Sequence, residues 1–283
     1  MLLIEVFKDI IFIQAIFLHS FSNGGINVVI TVDVGNTNIV LGGYKDDKLV
    51  FTSRISTEAS KMEDQYAIVF ADIIKLYGYS PEDFNGAIIS TVVPPLINVL
   101  KAAIKKLFKC KVIVVGPGVK TGLNIRIDNP ALLGSDIVCG AVGAMLKYKP
   151  PFIIFDLGTA TTITAVDKTG ALLGGSIIPG VKVSLNALSG ATAQLPYINT
   201  ELENDVLIGG NTIDAMKSGI ILGTASMMDG MIDRYKEVLG EESVVLATGG
   251  LAPSIAKHCR RELIIAPDLL SDGLYALYKK NAE

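Results

Sequence analysis

Val28-Val29-Ile30-Thr31-Val32-Asp33-Val34-Gly35-Asn36-Thr37-Asn38 decides the fold, because the chain repeats its pattern at Phe152-Ile153-Ile154-Phe155-Asp156-Leu157-Gly158-Thr159. Each stretch opens on an apolar, β-branched or aromatic run that reads as a buried strand. Each ends in an acidic glycine turn. The sequel repeats as well. Ile39-Val40-Leu41, a polar turn at Lys45-Asp46-Asp47-Lys48 and Leu49-Val50-Phe51 follow the first copy. Ile163-Thr164-Ala165-Val166, a turn at Asp167-Lys168-Thr169-Gly170 and Ala171-Leu172-Leu173 follow the second. Strand, acidic turn, strand, hairpin and strand thus occur twice, with Asp156 placed 123 positions after Asp33. A duplicated domain is the simplest account. The spacing predicts units over residues 28–149 and 150–283, divided near Lys147 to Pro151, where two prolines adjoin.

Between the copies, strand and helix patterns alternate. Glu63 to Tyr77 carries apolar residues at helical spacing, and Gly78 is placed to cap it. Gly86 to Val93 predicts a strand stopped by Pro94-Pro95, Ile97 to Phe108 an amphipathic helix, and Lys111 to Val115 another strand. Asn211 to Leu239 is helix-rich, Ser243 to Ala247 a strand, and Leu251 to Arg261 helical. The expected class is α/β with mixed sheets.

Composition narrows the function. Of 283 residues, half are hydrophobic, enough for a sizeable core and against a disordered chain. Lys plus Arg is 25 against 28 Asp plus Glu, a net charge of −3 with no basic run. That argues against a protein that holds nucleic acid by its phosphate backbone. Cys110, Cys139 and Cys259 are scattered and form no C-x-x-C pair, so they read as reduced intracellular thiols. With only His19 and His258 available, and both read as structural, a general base is expected to be a carboxylate.

Residues 1–27 stand apart. They are apolar but carry Glu5, Lys8 and Asp9 early, and they lack a clear positive start or small-residue cleavage site. Their charge-free part is shorter than the roughly 20 residues a bilayer span needs. An amphipathic interaction helix, a weak membrane anchor and a non-native extension from an upstream start are the readings, and the last is favoured. The first strong fold signal begins at Val28.

The repeated turns carry the chemistry. A phosphate-binding turn needs small residues so that backbone N–H groups can approach oxygens, hydroxyls that donate, and an acid to hold a metal ion. Asp33-Val34-Gly35-Asn36-Thr37 and Asp156-Leu157-Gly158-Thr159 each supply that set at a strand end. Two ordinary turns using Asp as hairpin chemistry are the bland alternative, and they leave the repeated context unexplained. Gly116-Pro117-Gly118-Val119-Lys120-Thr121 fails both as a Walker A loop, having Val before Lys, and as a dinucleotide fingerprint, having Thr at the last glycine. It is a glycine-rich loop after a strand. Thr248-Gly249-Gly250 lies between a strand and a helix, and its glycines could let a nucleoside approach the backbone.

These features resemble the actin, hexokinase and Hsp70 superfamily, whose halves are duplicated ribonuclease-H-like domains. Within it the chain, from about Val28 to Leu277, is similar to the type III pantothenate kinases. The motifs that carry this are Asp33 to Asn38, Ser90-Thr91-Val92-Val93-Pro94-Pro95, Gly116 to Gly122, Asp128-Asn129-Pro130, Gly134-Ser135-Asp136, Asp156 to Thr162, Gly174-Gly175 with Pro179-Gly180, Thr192 to Pro196 and Thr248 to Gly250. The resemblance implies ATP-dependent phosphorylation of pantothenate, the first committed step towards coenzyme A, in a cytoplasmic homodimer. By similarity Asp33, Val34, Gly35, Asn36, Thr37, Asn38, Ile39 and Val40 would wrap the ATP phosphates, with Asp33 near Mg²⁺. Thr159, with Gly249 and Gly250, would add nucleotide contacts, and Asp156 would hold a monovalent cation, potassium or ammonium. Asp136 would take the proton of the pantothenate hydroxyl. Without the resemblance it reads as a carboxylate at a helix N-terminus. Gly134, Ser135, Asp136, Ile137 and Thr192 would line the substrate pocket, Thr192 serving the partner's substrate.

Two positions depart from the family pattern. Ile137 stands where an Arg usually follows the catalytic Asp, and Ile127 where a Tyr usually precedes Asp-Asn-Pro. The lost Arg removes a cation that could pair with a substrate carboxylate, with Lys120, Arg126 or backbone N–H groups left to compensate. The alternative functions are a kinase of a related hydroxy acid and a nucleotide-binding regulatory protein on the same scaffold. Retention of Asp136 and the lack of a basic recognition helix weigh against the second.

Overall fold

The computed structural model describes residues 27–192, 194–198 and 206–282. Residues 1–26, on which the expectation of a non-native extension falls, lie outside the described residues.

The two acidic-turn repeats become the centres of two sheets. In the first, β1 (Val28–Val34) pairs antiparallel with β2 (Asn38–Lys45), and β2 with β3 (Lys48–Ser56). On its other side β1 runs parallel to β4 (Phe84–Thr91), which is parallel to β5 (Lys111–Val114), so the order is β3-β2-β1-β4-β5. The second sheet repeats this arrangement. Strands β7 (Phe152–Leu157), β8 (Ala160–Val166) and β9 (Ala171–Pro179) form the antiparallel meander. Strands β10 (Val244–Thr248) and β11 (Ile264–Ile265) add parallel to β7. The short β6 (Asn124–Ile125) joins the far edge beside β9. The duplication legible in the sequence is therefore a duplication of strand order and direction.

Helices make three layers around the sheets. Helix α1 (Glu63–Leu76) and α2 (Leu96–Phe108) cover the outer face of the first sheet. Tyr66, Phe70, Leu100 and Ile104 pack there on Ile30, Val32, Ile39 and Leu41. The left-handed Gly78 after α1 donates its N–H to the Lys75 carbonyl, the cap its position predicted. On the outer face of the second sheet lies α5 (Thr212–Leu239), whose Ile221, Ala225, Met228 and Ile232 meet Ile153, Phe155 and Val245. Asn211 begins α5 as an N-cap, its side chain accepting from Asp214 N–H at 3.0 Å. A shorter helix, α4 (Val181–Gly190), packs on α5 and β8.

The middle layer is shared. Helix α3 (Ser135–Lys147) sends Val138, Cys139 and Val142 towards the first sheet and Ala141 and Ala144 towards the second. It lies against α7 (Leu269–Ala282), the last helix, which crosses back to pack on β1, β4 and β5. Small residues permit that crossing. A Cβ at Gly273 would collide with the Cys139 carbonyl, and one at Gly143 with the Leu269 carbonyl. Tyr44 of β2 fixes the far end: its ring stacks on Tyr275 at 4.4 Å and its hydroxyl donates to Asp272 at 2.7 Å.

The expected helix over Leu251 to Arg261 is shorter, confined to α6 (Ala252–Ala256). Beyond it the chain turns outward because Asp229 of α5 accepts the backbone N–H groups of Arg260 and Arg261 at 2.9 to 3.0 Å. Those bonds replace the helical ones that would continue the turn. All three cysteines are free thiols. Among the described residues, no helix is long and apolar enough to cross a membrane.

Candidate active site

The two acidic turns face each other. Asp33 is the penultimate residue of β1 and Asp156 that of β7, and both line one groove of about 220 Å³ between the sheets. Gly35, Asn36, Thr37, Asn38 and Val40 form one wall; Gly158, Thr159, Ala160, Gly249 and Gly250 form the other. Thr37 Oγ1 and Thr159 Oγ1 share a hydrogen bond of 2.8 Å across it. Ile39 is the exception in its run. Period-2 alternation turns its side chain into the core of the first sheet, where it is fully buried.

Each turn is braced by backbone contacts. Gly35 N–H donates to the Asn38 carbonyl at 2.9 Å, while Thr57 donates its hydroxyl to Gly35 O at 2.7 Å and its N–H to Thr37 O at 2.9 Å. In the second copy Gly158 N–H donates to Ala160 O at 3.1 Å, and Gly180 N–H donates to Thr159 O at 3.1 Å. Gly249 adopts φ +90, and a Cβ there would stand 2.6 Å from an Asp156 carboxylate oxygen. Only glycine meets both demands.

Asp136 enters from the middle layer, in the first turn of α3. Ser135 anchors that helix start to β4. Its hydroxyl shares a 2.9 Å hydrogen bond with Ser90, accepts Thr91 N–H at 3.0 Å and donates to Thr91 O at 3.2 Å. Asp136 lines the groove, while its neighbours Gly134 and Ser135 line a second cavity of about 540 Å³ together with the loop Gly116 to Val119. The glycine-rich loop that matched no nucleotide motif is the floor of this cavity. Val92 borders both spaces.

The electrostatics follow from three acids in one groove. Burial, then repulsion from Asp156 and Asp136, pushes the Asp33 carboxyl up from 3.8 to about 7, against a Ser90 hydrogen bond and the Arg54 charge. Burial and Asp136 raise Asp156 to about 6, opposed by Arg54. Burial raises Asp136 as well, and its oxygen Oδ1 accepts Ile137 N–H at 2.9 Å, which holds it down. Such an acidic groove favours a bound cation. Among the described residues no three of His, Cys, Asp and Glu stand close enough to cage a metal ion alone. The donor set fits Mg²⁺, which typically takes one or two carboxylates together with substrate phosphates and waters.

The sequence of the chain matches the family model of type III pantothenate kinase over residues 29–234. It is 40% identical over 255 residues to the type III pantothenate kinase of Bacillus cytotoxicus, spanning 90% of this chain and 97% of that one. The chain belongs to the type III pantothenate kinase family. Solved structures with the same fold include the ethanolamine utilization protein EutJ of Carboxydothermus hydrogenoformans, with a TM-score of 0.52, 14% identity and coverage of 87% and 88% of the two chains. Another is component A of the Acidaminococcus fermentans (R)-2-hydroxyglutaryl-CoA dehydratase, with a TM-score of 0.52, 15% identity and coverage of 90% and 99%. At those identities the likeness is one of fold, and it agrees with the α/β class with mixed sheets expected from the sequence.

The remaining family positions fall into two places. Ile137 borders a small void beside Asp156, and with Ile127 it packs into the apolar layer between α3 and the second sheet. Both departures from the family pattern thus occupy one hydrophobic neighbourhood. Thr192 is exposed beyond the end of α4, where its hydroxyl donates to Leu188 O at 2.9 Å; it does not line the groove of its own chain. Arg54 was not singled out by the sequence. It lines the groove from β3, and the hairpin register was the signal that could have found it: Arg54 pairs with Val40, and Val40 with Asp33.

Proposed function

We propose that the chain transfers the γ-phosphoryl group of ATP to the hydroxyl of pantothenate, opening coenzyme A synthesis in the cytoplasm. The observation that carries this reading is the convergence of Asp33, Asp136 and Asp156 on one groove, with Thr37 and Thr159 bonded across it. Asp33 to Asn38 and Val40, with Thr159, Gly249 and Gly250, bind the nucleotide. Backbone N–H groups and hydroxyls at the turns face its phosphates. Pantothenate occupies the cavity beside Gly134 and Ser135, its hydroxyl directed at Asp136.

Phosphoryl transfer has a loose transition state, so positioning and charge neutralisation supply most of the rate. Asp136 accepts the hydroxyl proton as the new O–P bond forms. Its carboxyl must be ionised to do so; burial raises it, and the Ile137 N–H bond and the start of α3 partly offset that. Asp33 is the residue for Mg²⁺ and Asp156 the residue for a potassium or ammonium ion; when bound, these cations neutralise phosphate charge. Thr192 contributes to the pocket of a partner subunit in a homodimer.

One observation favours a second reading. No Lys or Arg lines the cavity beside Asp136 among the described residues, so a pantothenate-like alcohol with a neutral end would fit as well. A coupled assay with ATP and pantothenate tests the first reading. The amide of pantothenate, run beside it, tests the second: a higher kcat/KM for the amide favours the neutral acceptor.

A further inference from the structure

Arg54 is the only Lys, Arg or His among the described residues that line the groove. It belongs to a row of directly paired residues crossing the first sheet: Arg54 opposite Val40, Val40 opposite Asp33, Asp33 opposite Ser90. Residues opposite one another share a face, so Arg54 is held on the same face as the Asp33 carboxylate. The second sheet repeats the row as Ile177, Thr162, Asp156 and Thr248. Acid and hydroxyl are kept in both copies. The cation is not, for the counterpart of Arg54 is Ile177, 77% exposed.

The guanidinium also reaches across the cleft. A Cβ at Gly250 would stand 2.6 Å from Arg54 Nη1, so the side chain lies against the glycine turn of the other half. Among the described residues it makes no ion pair within 4 Å, whereas Lys61, Lys147, Arg261 and Lys279 each do. Its five donors remain available in a groove otherwise walled by three carboxylates.

We infer that Arg54 is a catalytic residue that donates to the phosphoryl oxygens during transfer, an inference that rests on the kinase reading above. In that step the bond from the γ-phosphorus to the bridging oxygen breaks and its electron pair leaves with ADP. The acceptor oxygen bonds to phosphorus and its proton passes to Asp136. Negative charge accumulates on the bridging and equatorial oxygens, and Arg54 is the side chain of the groove able to meet it.

The test uses Arg54→Gln, Arg54→Lys and Arg54→Ala in the full chain, with kcat, the ATP KM and the Mg·ADP dissociation constant measured for each. A catalytic arginine predicts a kcat lowered roughly 10³-fold in Arg54→Gln, with Mg·ADP affinity within about threefold of wild type. Arg54→Lys keeps the charge but loses the planar fork, so it recovers only part of the rate. Free guanidinium added to Arg54→Ala raises its kcat and leaves wild type unchanged. A kcat within about tenfold of wild type in Arg54→Gln, or a loss confined to KM, overturns the inference while leaving the kinase reading intact. A wild-type chain that transfers no phosphoryl group to pantothenate or its amide overturns both.

Discussion

Thr37 Oγ1 and Thr159 Oγ1 lie 2.8 Å apart, although 122 positions separate them in the chain. They occupy neighbouring rather than equivalent places in the two turns, Thr37 four residues after Asp33 and Thr159 three after Asp156. Their hydrogen bond is one point where the two sheets' turns touch over the groove. Either hydroxyl can turn from its partner to a phosphate oxygen without a change of backbone. Thr37→Val and Thr159→Val should each raise the ATP KM by roughly two- to tenfold, the size of one net hydrogen bond. A double variant should show a coupling energy well away from zero, because both single changes remove the same contact. Steady-state kinetics on the four proteins gives the answer.

Asp136 lines the groove, its neighbours Gly134 and Ser135 line the adjoining cavity, and its replacement separates chemistry from nucleotide binding. Asp136→Asn keeps the shape of the side chain and removes its basicity. We expect kcat to fall about 10²- to 10⁴-fold, the usual share of a general base. Mg·ATP affinity measured by calorimetry should change by less than about threefold. A variant that retains turnover would remove Asp136 from the mechanism.

The raised carboxyls predict how stability depends on pH. Asp33 moves from 3.8 to about 7 on folding, and Asp156 from 3.8 to about 6. Between those limits the folded chain binds more protons than the unfolded one, so stability falls as pH rises. The contribution is complete below the ordinary carboxyl value and gone above about 7. Thermal melts without nucleotide or divalent cation, taken from pH 4 to 8, should show a falling melting temperature. The fall should flatten in Asp33→Asn. A melting temperature that climbs through this range contradicts the assignment.

Gly143 and Gly273 let α3 and α7 cross in the middle layer, the layer that carries Asp136. Gly273→Ala would drive a methyl group into the Cys139 carbonyl. Overpacking of this kind costs about 1–3 kcal/mol, readable as a lower urea midpoint. Gly219→Ala on α5, where a Cβ meets nothing within 4 Å, serves as the control and should be neutral or stabilising.

Much of this was legible in local sequence. The corners at Asp33 and Asp156 announce themselves by a pattern of a few residues, and their shared strand order follows from that pattern being repeated. What the sequence hid is non-local. Arg54 looks like any charged residue on an exposed strand until pairing through Val40 places it beside Asp33. Helix α7 follows the second sheet in the chain yet packs on the first, which no window of neighbouring residues records. The segment after Ala256 carried a helical pattern, but Asp229, some thirty positions earlier, captures its backbone donors. Gly116 to Thr121 failed both nucleotide motifs because it lines a cavity, a matter of shape that those motifs do not encode.

The account stands on both corners serving one phosphoryl transfer to the alcohol beside Asp136. The most direct measurement follows the label from γ-³²P-ATP in the presence of pantothenate, for wild type, Asp33→Asn and Asp136→Asn. The predicted result is radioactive phosphopantothenate in step with ADP from wild type, and loss of that product in both variants. Label that stays on ATP, or appears only as free phosphate, in the wild-type reaction would contradict it.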